Sequence, residues 1–166
     1  MIMSNFCLIL KILTLFKFSV ASIDCNIPGS FPLPYNSDWT ITSDYGYRVH
    51  PTLGGLKKHR GIDIAADSNT FVVASGCGYI DDVNTDKSLG NYIKIKHSYS
   101  YESLYGHLSE GYVKKGQCIS VGDTIGKVGT TGRSTGNHLH YQINFKGKAI
   151  DPKEYLFLHY KENIIE

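Results

Sequence analysis

From His138 to Phe145 the sequence reads HLHYQINF, and polar and apolar residues alternate at every step. Side chains two apart on a β-strand share a face. Leu139, Tyr141, Ile143 and Phe145 would therefore enter a core, leaving His138, His140, Gln142 and Asn144 outside. NYIKIKH repeats the pattern, with Tyr92, Lys94 and Lys96 opposite Ile93, Ile95 and His97. HRGIDIAA, TFVVASGCGYIDDV and YESLYGHL read as further short strands, the second broken at Gly76 and Gly78. In VKKGQCISVGDTIGKVG, Val113, Gly116, Ile119, Gly122, Ile125 and Val128 fall every third residue. That spacing suits short strands turning at glycine, and neither a helix nor a long strand. Heptads and long repeats are absent, and only Pro152 to Tyr160 leaves room for a short helix. The expected fold class is all-β, a compact and mostly antiparallel sheet with little helix.

The first residues, MIMSNFCLILKILTLFKFSVAS, are apolar and carry no acid. They read as a secretory signal peptide over 1–21, with Ser19 and Ala21 as the small residues of a cleavage site. Lys11 and Lys17 interrupt the run of about 20 apolar residues that a spanning helix needs. A membrane contact is expected only if this segment stays uncleaved. Residues 22–37, with Pro28, Pro32 and Pro34, read as an extended lead-in, 38–158 as one domain and 159–166 as a tail.

Removing 1–21 takes away two lysines and no acid, which leaves 15 Lys and Arg against 15 Asp and Glu. Such a neutral chain has no basic footprint for nucleic acid. Cys7 leaves with the signal, and Cys25, Cys77 and Cys118 remain. In an oxidising compartment that count predicts one disulfide and one cysteine left over.

Chemistry concentrates in the histidines. His59 and Asp63 form H-x-x-x-D, and Gly61 between them argues against a helix. Flanked by Ile62 and Ile64, Asp63 points away from the core that they enter. Taken alone, it suits a salt bridge to a nearby Lys or Arg. Beside two imidazoles on one strand face, it suits a metal. A catalytic zinc takes three protein ligands and leaves the fourth position to water. His59, Asp63 and one histidine of the 138/140 pair would supply two nitrogens and one oxygen. His107 and the other histidine would then lie close by, able to orient or deprotonate water and stabilise an oxyanion.

The segments TSDYGYRVHP, KKHRGIDIAA, GNYIKIKH, SLYGHL, VKKGQCISVGDTIGKVGTTGRSTGNHLHYQI and DPKEYL, in this order, resemble the lysostaphin/LytM-type zinc endopeptidases of bacterial peptidoglycan. The resemblance covers roughly Trp39 to Leu156. It implies one Zn²⁺ held by His59, Asp63 and His140, with His107 and His138 as the catalytic pair. It gives His50 and His97 no ligand role, and His159 falls outside it. It implies a narrow groove with long loops as walls and zinc on its floor. The glycines of GRSTGN would shape one wall, making Arg133, Ser134 and Thr135 candidates for substrate contact. Alignment with the family suggests a Cys77–Cys118 disulfide; the alternatives are that either of these pairs with Cys25, or that all three stay reduced. The expected protein is an exported monomer of the periplasm, cell envelope or exterior that hydrolyses peptide bonds in peptidoglycan cross-links or stem peptides. D-amino-acid cross-links and glycine bridges both stay open as the bond cut.

Four other readings compete. A non-catalytic peptidoglycan-binding or activating module of the same fold would lack some of the five site residues, and all five are present. A lipoyl- or biotinyl-carrier domain would place methionines beside its modified lysine, but Met1 and Met3 are both in the signal. A cupin would carry a Glu soon after H-x-H, and none follows until Glu154. The H-E-x-x-H of a zincin is absent.

Overall fold

A computed structural model describes residues 24–49, 54–156 and 158. The signal-peptide reading, His50 and His159 lie outside these residues. The strands run in chain order as β1 (Trp39–Ser43), β2 (Gly46–Val49), β3 (Leu56–His59), β4 (Ile62–Ala66), β5 (Phe71–Val73), β6 (Gly78–Asp86) and β7 (Gly90–Lys96). They continue as β8 (Tyr101–Leu108), β9 (Glu110–Gly111), β10 (Cys118–Ile119), β11 (Thr124–Lys127), β12 (His138–Phe145) and β13 (Lys148–Ile150). One 3₁₀ turn, Pro152–Glu154, stands where the tail left room for helix.

The main sheet has the order β1-β4-β12-β8-β7-β6-β10, with β13 beside β12, and every pairing in it is antiparallel. A small sheet, β5-β11-β9, and a hairpin, β2-β3, complete the described strands. Alternation decides which face of the main sheet is dry. Ile62 and Ile64 on β4, Ile95 on β7, Tyr105 on β8, and Leu139, Tyr141 and Ile143 on β12 are fully buried. They form one cluster with Val72 and Ile125 of the small sheet. Burying a Val, Leu or Ile side chain contributes about 1.5–3 kcal/mol, so this face holds the fold together.

The proline-rich segment, expected to be extended, runs through turns and bends instead and packs into that core. Phe31 and Leu33 are buried in it, and Val73 donates its N–H to the Pro32 carbonyl at 2.9 Å. The same segment corrects the expected disulfide. Cys77 pairs with Cys25, their Cα atoms 5.1 Å apart, and not with Cys118. The register explains why. β10 does lie beside β6, but Cys118 faces Tyr79 while Ile119 faces Gly78, so Cys118 is out of step with Cys77. Cys25 runs alongside instead, and its carbonyl accepts the Cys77 N–H. Cys118 is exposed and takes no part in the disulfide.

Beneath β8 the core carries a polar network. The Tyr141 hydroxyl donates to Ser75 Oγ at 2.7 Å, and Ser75 Oγ is 2.9 Å from the Tyr105 hydroxyl. That hydroxyl is 3.0 Å from Ser103 Oγ, which reaches His97 Nε2 at 2.7 Å. His97 Nδ1 donates to the Cys77 carbonyl at 2.8 Å. Burial lowers the His97 pKa to about 4, so the ring is neutral at pH 7.

Candidate metal centre

The outer face of the main sheet floors a groove of about 1120 Å³. The β2-β3 hairpin makes one wall. The loop 130–137 makes the other, with Arg133 N–H donating to the Ser88 carbonyl at 2.9 Å. Gly132, at φ 71°, lies against the Gly90 backbone where no side chain would fit.

Four elements bring the histidines together. Asp63 sits on β4 directly opposite His140 on β12. Its neighbours Ile62 and Ile64 enter the core, so its carboxylate faces the groove. His59 ends β3 two residues before β4, and the tight link between them needs Gly61, where any side chain would strike the Tyr141 carbonyl. His138 and His140 share the outer face of β12 by plain alternation. His107 reaches the groove differently. On β8, Ser103 and Tyr105 face the core, so His107 should too. A bulge against β7 and a left-handed φ of 61° at His107 reverse the alternation. Leu108 enters the core instead and the imidazole swings to the groove. Left-handed backbone costs a non-glycine residue about 1–2 kcal/mol.

Three donor atoms meet on the floor. His59 Nε2 lies 3.1 Å from Asp63 Oδ1, His140 Nδ1 lies 3.0 Å from the same oxygen, and the two nitrogens are 3.2 Å apart. All three residues are buried. His59 Nδ1 donates to the Asp44 carbonyl at 2.9 Å, so its Nε2 presents a lone pair. Three potential ligand atoms this close together form a cluster that a cation could join. Metal–ligand bonds of about 2.0–2.1 Å give a tetrahedron an edge of ~3.3 Å, so the donor set fits a small divalent metal with one position left over. Burial works to raise the Asp63 pKa, but the facing His140 and His59 rings outweigh it and hold the carboxyl well below the usual range.

His107 and His138 flank this triangle, their ring centroids 4.6 Å apart. His107 Nδ1 donates to the Thr131 carbonyl at 2.8 Å, and His138 Nδ1 donates to the Gly136 carbonyl at 2.8 Å. Both rings therefore carry a lone pair on Nε2, and His138 Nε2 lies 3.8 Å from Asp63 Oδ1. Burial lowers the His107 pKa to about 4, with a further push from His138 and His140 and an opposing pull from the Thr131 carbonyl. Its ring is neutral at pH 7.

Of the substrate-contact candidates, Arg133, Ser134 and Thr135 all line the groove. The Ser134 hydroxyl is committed elsewhere, donating to the Gly136 carbonyl at 2.7 Å and lying 3.2 Å from His138 Nδ1. Sequence reading missed Arg48. Its guanidinium donates to Asp63 Oδ2 at 3.0 Å, leaving Oδ1 to the triangle. Asp63 thus makes the salt bridge that its sequence context offered and keeps its other oxygen in the donor triangle. The signal for Arg48 was its place in YGYRVHP, but no spacing rule links it to Asp63.

A family model, peptidase family M23, matches residues 57–152. The chain belongs to peptidase family M23. Among M23 relatives, the DD-carboxypeptidase/endopeptidase Mpg of Neisseria meningitidis is 42% identical over 121 residues, covering 73% of this chain and 27% of that protein. The chain spans about a quarter of the length of the curated relatives it matches. A crystal structure of a zinc-containing peptidase from Vibrio cholerae superposes with a TM-score of 0.68 at 34% identity, covering 73% of this chain and 37% of that one. The catalytic domain of lysostaphin from Staphylococcus simulans gives 0.63 at 31% identity, over 72% of this chain and 92% of that one. The all-β fold of this M23 chain is thus the one its sequence resembled.

Proposed function

We propose that the protein is an exported, monomeric zinc endopeptidase that hydrolyses D-alanyl amide bonds in peptidoglycan cross-links. One observation carries the reading: three donors at tetrahedral spacing, with two Nε2 lone pairs beside them, on the floor of an open groove. The names of its DD-endopeptidase relatives support the choice of bond. His59, Asp63 and His140 would hold the zinc. Zinc in such a site supplies a Lewis acid for the scissile carbonyl and lowers the pKa of a bound water to about 7.

The chain's own groups do the rest. Arg48 holds Asp63 Oδ2, which would leave Oδ1 to the metal. Low pKa suits His107 Nε2 to accept a hydrogen bond from the attacking water or, as needed, orient the substrate. His138, less buried, is better placed to take a proton at Nε2 and return it to the leaving amine. The carbonyls of Thr131 and Gly136 keep both rings in the required tautomer.

Digesting purified sacculi of both the D-amino-acid and glycine-bridged types with residues 22–166 tests this. The expected product is peptide released from the D,D-linked wall, identified by mass. No product from either wall would overturn the hydrolase reading and leave a binding module of the same fold. Release from the glycine-bridged wall alone would overturn the choice of bond.

A further inference from the structure

The chain as a whole is nearly neutral, but its groove is not. It takes seven of the chain's 17 Lys and Arg side chains and only three of its 15 acids. The three acids are all engaged. Asp63 belongs to the metal triangle and to Arg48. Asp86 accepts the N–H groups of Ser88 and Leu89, both at 2.6 Å. Glu102 accepts from Asn144 Nδ2 at 2.7 Å. Of the cations, Arg48 is paired with Asp63, and Lys58 and Lys94 sit over the Tyr45 and Tyr92 rings, 5.0 and 5.6 Å from their centroids. Among the described residues, Lys57, Arg60, Lys94, Arg133 and Lys148 form no salt bridge.

These five cations surround the triangle on several sides. Lys57 and Arg60 stand on the β3 wall and Arg133 on the opposite wall. Lys94 lies on the floor, since Gln142 faces Leu104 and Leu104 faces Lys94 across the sheet. Two strand spacings of ~4.8 Å put Lys94 about 10 Å across from Gln142. Gln142 is two residues from His140, so Lys94 is three to four extended residues from the triangle. A peptide bound for cleavage would pass cations on both sides of the scissile bond.

We infer that the groove selects its peptide by free carboxylates flanking the scissile amide, which Lys57, Lys94 and Arg133 receive. The inference rests on the peptidase reading above and specifies its substrate. Stem peptides carry a free carboxylate at a γ-linked glutamate and, where the diamino acid is a diacid, another beside the cross-linked amine. Amidation removes both, and a glycine bridge has neither. Groove cations that form no salt bridge gain most from such groups, through charge-assisted hydrogen bonds and a raised local concentration of anionic peptide.

The test uses two synthetic cross-linked tetrapeptide dimers with the same D-alanyl amide. One has free stem carboxylates and the other is amidated at each. The wild-type chain should cleave the free form with a kcat/KM about ten-fold higher, a preference that shrinks as salt is raised. Lys57→Gln/Arg133→Gln, checked for an unchanged melting temperature, should lose most of that preference. Dissociation constants of both dimers on His138→Ala, which should bind without turnover, should show the same ratio. Equal cleavage of the twins, or faster cleavage of the amidated one, overturns the inference and leaves the peptidase reading standing. A preference that survives in the double variant overturns the assignment to these cations. If neither twin is cut, the peptidase reading fails, and the inference with it.

Discussion

β12 and β8 are neighbours of equal length, and both deliver imidazoles to the groove. β12 does so by obeying the rule of the strand, since His138 and His140 are simply the outward residues of an unbroken alternation. β8 does so by breaking it, since His107 reaches the groove only through a bulge and a left-handed residue. On their core sides the two strands behave alike, with Tyr105 and Tyr141 packed at 5.4 Å and both reaching Ser75. The difference teaches where a fold places its strain. The strand that carries a metal-ligand candidate is regular, and the strained residue is one whose imidazole stands beside the triangle.

The largest effect that would break the comparison is on turnover. If regular and strained strands serve one reaction, His107→Ala and His138→Ala should each lose ~10²–10⁴ in kcat while keeping fold and metal. Wild-type turnover in either variant would make that residue a bystander.

Next in size is the buried network on the core side of β8. The folded His97 pKa of about 4 lies below the unfolded value of about 6.5. Between these values the unfolded chain holds the extra proton, so stability is lost as pH falls from about 6.5 to about 4. The loss attributable to His97 is about 3 kcal/mol. Denaturant titrations of the wild type and His97→Gln across this window should show the wild type losing more, by that order. Parallel curves would mean that His97 is not held neutral.

The smallest effect isolates the backbone. At 107 the left-handed φ favours glycine, so His107→Gly should be about 1 kcal/mol more stable than His107→Ala. At 138, in extended backbone, the order should reverse, with alanine ahead by about 0.5–1 kcal/mol. Thermal melts of the four variants decide it, and the same order at both sites would remove the contrast between the strands.

What could be read in the sequence follows the same division. Period-two alternation made β4, β7 and β12 legible, and glycine spacing made the short strands of 113–129 legible, because both depend on nearest neighbours alone. The outward turn of Asp63 was visible for the same reason. Alternation by itself would have sent His107 to the core with Tyr105; the resemblance of SLYGHL to the lysostaphin/LytM-type pattern pointed it to the groove. Arg48 escaped, and the Cys25–Cys77 bridge stood only as an alternative pairing, because each joins segments whose approach no local pattern encodes. The proline-rich segment reads as linker by composition, and its two buried side chains, Phe31 and Leu33, are too few to show a period.

The division of labour within HLH is tested most directly by metal content. Zinc per chain should be measured after exhaustive dialysis for the wild type, His138→Ala and His140→Ala, each checked for native circular dichroism. One zinc per chain is expected in the wild type and in His138→Ala, and almost none in His140→Ala. Full zinc in His140→Ala, or its loss from His138→Ala, would contradict the assignment of His140 as ligand and His138 as its unligated neighbour.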